Sequence, residues 1–342
     1  MTTVADGLFQ YGGMPVTGGV PPFVSRSSKT FFVDPVNGSD GNSGKSAQNA
    51  FASLYAAHGH MTAGQNDVCY LIGTGAAAGS VRLSLANAQA YDSTATTGTL
   101  TWSKNACHLI GIAAPGSNAR ARIATPTGTY TQSTFNALPF ITVSGAGCYF
   151  KNLSTFQQFS TGADGEICLN VTGSYNIFDN VLLGGMASTV AAQGAASRVL
   201  KIATGGENTF VNCQIGVDTV LRSAANANIE FASGTARNRF VNCVLPVWTD
   251  DAGAFFGLGT GAACMDRYQL FTDCWFINAI ESTSTVMTVG FSLTSASAGG
   301  MIVLANCNAV GMTKWGDTNA LAQMYVSNVG GAATDGLMLA PT

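Results

Sequence analysis

One short phrase returns six times along the chain and constrains what it can fold into. An aromatic or large aliphatic residue is followed by a spacer, then Asn or Asp, then Cys or an aliphatic. The instances are Phe150-Lys151-Asn152-Leu153, Phe178-Asp179-Asn180-Val181, Phe210-Val211-Asn212-Cys213, Phe240-Val241-Asn242-Cys243, Phe271-Thr272-Asp273-Cys274 and Leu304-Ala305-Asn306-Cys307. Successive Asn/Asp positions lie 28, 32, 30, 31 and 33 residues apart. A fixed period near thirty signals a solenoid, because one repeat cannot bury its own apolar face. A second apolar run precedes the earlier phrases, as in Ile141-Thr142-Val143, Cys168-Leu169-Asn170-Val171, Val199-Leu200-Lys201-Ile202 and Ile229-Glu230-Phe231. Gly, Ser or Asn separates the two runs. Short alternating runs bounded by turn residues predict strands. Two strands and a turn at fixed spacing predict an all-β chain, a right-handed parallel β-helix.

Phe and Cys three positions apart cannot both face inward on a straight strand. A bend at the intervening Asn resolves this, since Asn tolerates the left-handed region. The expected result is a structural ladder of Asn152, Asn180, Asn212, Asn242, Asp273 and Asn306 beside stacked Cys213, Cys243, Cys274 and Cys307. The rest of each period, such as residues 155–166 and 182–197, is expected to form loops on one side, where solenoids carry their binding surfaces.

Composition narrows the function classes. Only 10% of residues are charged, and 15 basic against 18 acidic residues give −3. Nothing here neutralises many phosphates, so no nucleic-acid partner is expected. No apolar stretch approaches the roughly 20 residues that span a bilayer, so no membrane partner is expected either. Residues 1–19 lack the basic start and apolar core of a secretory signal. The nine cysteines show no CxxC spacing and their count is odd. They read as free, buried thiols made in a reducing cytoplasm.

Residues 1–30 are punctuated by Gly and Pro and read as an extended docking arm. Its candidate contact residues are Leu8, Phe9, Tyr11, Pro15, Pro21 and Phe23. A helix over residues 50–61 is expected to cap the solenoid, whose end would otherwise expose core. Phe32-Val33-Asp34, the loop Gly38-Ser39-Asp40-Gly41-Asn42-Ser43-Gly44, Ala50-Phe51-Ala52-Ser53-Leu54 and Asp67-Val68-Cys69-Tyr70-Leu71 together resemble the opening of pectate-lyase-like right-handed β-helix proteins. Ala50 stands where that family usually has proline, and Gly44-Lys45-Ser46 replaces Gly-Thr. With the start Val4-Ala5-Asp6-Gly7-Leu8-Phe9-Gln10-Tyr11-Gly12-Gly13, the chain is more narrowly similar to β-helix proteins encoded beside phage capsid genes. That resemblance implies a virion component decorating the capsid.

Few residues carry recognisable chemistry. Gly44-Lys45-Ser46 lacks the glycine spacing of a phosphate loop. Asp34, Asn37, Ser39, Asp40 and Asn42 offer oxygens for Ca²⁺ but without a closing Glu, and Asx turns explain them as well. Polysaccharide hydrolysis needs two carboxylates about 5–9.5 Å apart. The adjacent pair Asp250-Asp251 follows Trp248, which could stack on a sugar. Pectin hydrolases of this fold add a downstream His-Gly, but His58-Gly59-His60 lies upstream and no histidine follows His108. Lyases of this fold use a carboxylate cluster for Ca²⁺ and a basic residue. The basic candidates are Arg198, Lys201, Arg222, Arg237, Arg239 and Arg267. The three histidines read as ordinary surface residues.

The expectation is an arm over residues 1–30, a β-helix over 31–316 and a capping or oligomer-contact segment over 317–342. The leading function is non-enzymatic: a homotrimer bound to phage major capsid protein on the virion, with no cofactor and no metal. The alternative is a tailspike-type protein that binds or depolymerises polysaccharide.

Overall fold

The computed structural model describes residues 25, 27–73, 83–84, 100–112, 121–124, 139–156, 166–187, 189–249, 255–261, 263–279, 287–293 and 300–327, with a two-stranded hairpin at Gln10–Tyr11 and Met14–Pro15. The arm candidates Leu8, Phe9, Pro21 and Phe23 lie outside the described residues. Tyr11 and Pro15 are described only as members of that hairpin.

The chain winds as a parallel β-solenoid with three walls. Ten strands form the first wall, running from Thr30–Val33 and Asp67–Ile72 to Gly300–Ala305 and Met324–Ser327. Eight form the second, from Leu83–Ser84 to Asn308–Val310, and eight the third, from Leu100–Trp102 to Met312–Gly316. Each strand pairs in parallel with its equivalent one coil away, as in Phe178 with Phe210 and Leu200 with Ile229. The second wall falls partly where loops were expected: Leu153–Phe156 and Leu182–Gly184 are strands. These strands are as short as Gln214–Ile215, with one inward residue, so they leave almost no alternation to read.

Between the first and second walls the backbone turns at Asn152, Asn180, Asn212, Asn242, Asp273 and Asn306, with φ of 54°, 55°, 54°, 51°, 54° and 54°. The turn resets the inside-outside alternation, so Phe and Cys on either side of it both enter the core. Phe150, Phe178, Phe210, Phe240 and Phe271 stack with centroids 4.8, 4.6, 4.9 and 4.4 Å apart and planes within 4–9°. That spacing is the strand-to-strand distance, imposed on the rings by the backbone. All nine cysteines are free and buried.

The N-terminal helix is shorter than expected. Helix α1 spans Leu54–His60, because Asp40 Oδ1 accepts the Ala52 and Ser53 N–H groups at 2.9 Å and holds that stretch extended. Ser53 then caps the helix, its Oγ accepting from Ala56 N at 3.0 Å. Leu54 and Ala57 join the core beside Phe31, Val33 and Phe51. Lys104 Nζ donates to the Gly59 and Met61 carbonyls at 2.8 and 2.6 Å, placing a cation on the helix C-terminus. At the far end, Asp317 caps the helical turn Thr318–Leu321, and Met324–Ser327 extends the first wall beyond the expected boundary at 316.

His108 is 1% exposed and so is not the surface residue expected. Its Nδ1 accepts from Tyr149 N at 3.1 Å and its Nε2 lies 3.3 Å from Asn66 Oδ1, an arrangement that suits the neutral ring. His58 Nε2 accepts from Ser103 N at 3.3 Å, and its ring packs on Trp102. Burial lowers both imidazoles to about 4, against 6.5 ordinarily, with Lys104 adding to the effect at His58.

Two predictions follow from this packing. Phe210→Ala removes the middle ring of the stack and is expected to cost about 3–5 kcal/mol, read from urea unfolding. As pH falls below about 6.5 the unfolded chain takes up the two histidine protons that the folded chain refuses until about 4. Stability is therefore expected to fall across that window, by up to about 1.4 kcal/mol per pH unit for each ring. Thermal melts of His108→Gln against wild type at pH 7 and pH 5 check this: the gap should narrow at the lower pH.

Candidate functional site

On the third wall Leu200, Ile202, Ile229 and Phe231 enter the core, so the alternate residues face out. Register aligns these outward residues in a row along the axis: Thr142, Asn170, Lys201, Glu230, Leu258 and Ser292. Two of them carry opposite charge on adjacent rungs. Lys201 Nζ lies 2.9 Å from Glu230 Oε1, and Arg198 Nε lies 2.6 Å from Glu230 Oε2. Thr260 donates to Glu230 Oε1 at 3.0 Å. Arg198 Nη1 also donates to the carbonyls of Ala195 and Ser197 at 2.9 and 2.7 Å.

Glu230 is buried, which by itself raises its pKa. Lys201, Arg198 and Thr260 outweigh that and hold the carboxyl below its ordinary value. Burial likewise lowers Arg198, against the pull of Glu230. With both oxygens engaged, Glu230 is neither a proton donor nor a nucleophile. It positions two cations, and Lys201 keeps 29% of its side chain in solvent.

A third cation lies at the corner between the second and third walls. Arg222 is fully buried, and its backbone N–H bonds Trp248 O at 2.9 Å beside an isolated bridge to Thr249. Its Nη1 donates to Asn228 Oδ1, whose own amide reaches Ile215 O and Pro246 O. Among the described residues its Nε and Nη2 have no hydrogen-bond partner. Burial alone lowers this guanidinium to about 9. Asn170 Oδ1, Ser197 Oγ and Asn226 Oδ1 are also buried without a partner among the described residues, on three adjacent coils of the same wall. Asn226 Nδ2 meanwhile donates to Ala192 O at 2.7 Å and ties this edge to helix α2, Thr189–Gln193. An orphaned buried polar atom costs about 1–3 kcal/mol, and native chains keep few of them. Among the described residues of this region the charged groups are Arg198, Lys201, Arg222, Glu166 and Glu230.

The other candidates are placed elsewhere. Arg237 pairs with Glu207 and Arg267 with Asp266, both at the surface. Arg239 is exposed on the first wall, away from the triad. Asp250 and Asp251 lie outside the described residues, directly after Thr249. Asp34 and Asp40 spend their oxygens on Val36, Asn37, Ala52 and Ser53 within their own loop. Among the described residues no group of three or more His, Cys, Asp or Glu could hold a metal ion. Glu230 was not singled out from sequence, because Ile229-Glu230-Phe231 reads only as an alternating strand. The ladder residues occupy the corner opposite this wall.

Comparison with family models gives no match, and comparison with curated proteins gives none either. Solved structures do match in fold. A rhamnogalacturonan lyase superposes with a TM-score of 0.60 at 15% identity, covering 88% of this chain and 73% of its own. A pectin methylesterase in complex with a hexasaccharide gives 0.52 at 16%, covering 90% and 91%. Pectin methylesterase PemA from Erwinia chrysanthemi gives 0.51 at 16%, covering 91% and 92%. The chain thus has the pectate-lyase-like parallel β-helix fold. This corrects the expectation of a non-enzymatic capsid-decorating protein. The five structures compared are described as pectin- or rhamnogalacturonan-processing enzymes, and none as a virion component. The likeness fits the alternative, a β-helix protein that binds or depolymerises polysaccharide, better than it fits a capsid-decorating role.

Proposed function

We propose that the chain is a polysaccharide-processing β-helix enzyme whose outward third wall receives an acidic sugar polymer. The observation that carries this reading is the outward row of the third wall, where Asn170, the partly exposed Lys201 and Glu230 stand on adjacent coils. Lys201 keeps 29% of its side chain in solvent and offers an ammonium to a carboxylate. The side-chain oxygen of half-buried Asn170, one coil away, is an acceptor for a hydroxyl group. Carboxylate and hydroxyl together are the chemistry of a uronic acid unit, and the structural relatives act on polymers of the pectin class by their descriptions.

Within this reading Lys201 holds the polymer's negative charge, while Glu230, itself anchored by buried Arg198, fixes its direction. Asp250 and Asp251 follow the residue that bridges Arg222, so they are the carboxylates assigned to the reaction. The test is incubation with polygalacturonate, methylesterified pectin and rhamnogalacturonan, following reducing ends, unsaturated products and methanol. Turnover of one of them is expected. Asp250→Asn with Asp251→Asn should lower it by about 10²-fold or more, and Lys201→Ala should weaken binding with a smaller effect on turnover. No binding and no turnover on any of the three would overturn the proposal.

A further inference from the structure

The first-to-second wall corner carries a break in its amide ladder, and an exposed tryptophan stands beside it. At three of its steps the ladder donates from one coil to the coil before: Asn180 Nδ2 to Asn152 Oδ1 at 2.8 Å, Asn242 Nδ2 to Asn212 Oδ1 at 2.7 Å, and Asn306 Nδ2 to Asp273 Oδ1. Asp273 has no N–H in its side chain to pass on. Asn242 Oδ1 therefore receives nothing from the next coil, and Asp273 Oδ2 also has no hydrogen bond among the described residues. Both residues are exposed. Two acceptors without a donor between them face the same patch of solvent.

Two residues beyond Asp273, Trp275 faces out from the second wall with 46% of its surface exposed. Trp102 and Trp315, by contrast, are buried. Register puts Val244 and Asn308 on either side of Trp275, with Ile277 and Val310 in the neighbouring row. Val244 and Val310 are exposed too, which makes a flat apolar floor. The patch thus joins an aromatic plane, a carboxylate oxygen and an amide oxygen.

We propose that this corner is a binding subsite for a neutral sugar ring, separate from the third-wall site. A pyranose presents an apolar C–H face, which suits the Trp275 indole, and an edge of hydroxyl donors, which suits Asp273 Oδ2 and Asn242 Oδ1. The carboxylate of Asp273 selects against a uronate by like-charge repulsion. This is the reverse of the preference argued for Lys201, so the two sites take different units of a mixed polymer. The inference does not require the third-wall reading, since it rests on other residues.

The test uses the full chain with galacto-, manno- and xylo-hexaose, and with hexagalacturonate, read by isothermal titration and tryptophan emission. A neutral hexasaccharide is expected to bind and shift the emission, and hexagalacturonate to leave the Trp275-dependent signal unchanged. Trp275→Ala should weaken the neutral sugar by roughly tenfold. Asp273→Asn keeps the fluorophore and supplies the missing N–H to Asn242 Oδ1. It should weaken binding by a similar factor while the melting temperature holds or rises. Wild-type protein binding none of the neutral sugars overturns the proposal, as does Asp273→Asn binding like wild type. Should Trp275→Ala dissociate an oligomer while wild type binds no sugar, the patch belongs to a second copy of the chain and the subsite is wrong. Hexagalacturonate binding that depends on Lys201 but not on Trp275 bears on the third wall alone.

Discussion

An L-residue at positive φ is unfavourable, and this chain accepts that at the same point of six coils. What it gains is a change of parity. Without the left-handed residue, the side chains of Phe240 and Cys243 would leave opposite faces of one strand. With it, the phenyl ring fills the centre of the coil and the thiol fills the corner beyond. Asn and Asp bear this geometry at least cost, and their side chains reach the equivalent residue of the next coil in Asn152–Asn180, Asn212–Asn242 and Asp273–Asn306. The stack of rings, the file of thiols and the second wall's entry angle all depend on that bend.

Once the walls are set, the solenoid sorts its polar groups by side. The interior is apolar from Phe31 to Val326. Buried charge includes Asp67 at the start of a first-wall strand and, on the outside of the third wall, Glu230, which is enclosed by Arg198, Lys201 and Thr260. Such an arrangement is weak evidence for stability, since desolvation offsets much of the attraction. Its value is geometric: it fixes the direction of two cations on a face where neighbouring polar groups lack partners.

The first and third walls were legible because their strands carry three to five alternating residues and the Phe-x-Asn-Cys phrase marks their end. The second wall was not, since a strand such as Gln214–Ile215 commits only Ile215 to the core. The helix boundary at Leu54 depended on Asp40, twelve residues upstream of Ala52, and no local propensity announces that bond. At the site, Arg198, Lys201 and Arg222 stood out as scarce basic residues. Their relation to Glu230 did not, because 32 and 29 residues separate it from Arg198 and Lys201 and only strand register brings them together. That Arg222 is fully buried is a property of packing, and a one-letter code does not carry it.

Nine thiols distributed from Cys69 to Cys307 sit inside the winding, every one out of contact with solvent. A thiol in that position meets an alkylating reagent only when its own stretch of the winding opens. The cysteines thus form a row of clocks built into the molecule. Their separate labelling rates would show whether the solenoid frays from one end, opens in the middle or comes apart as a single unit.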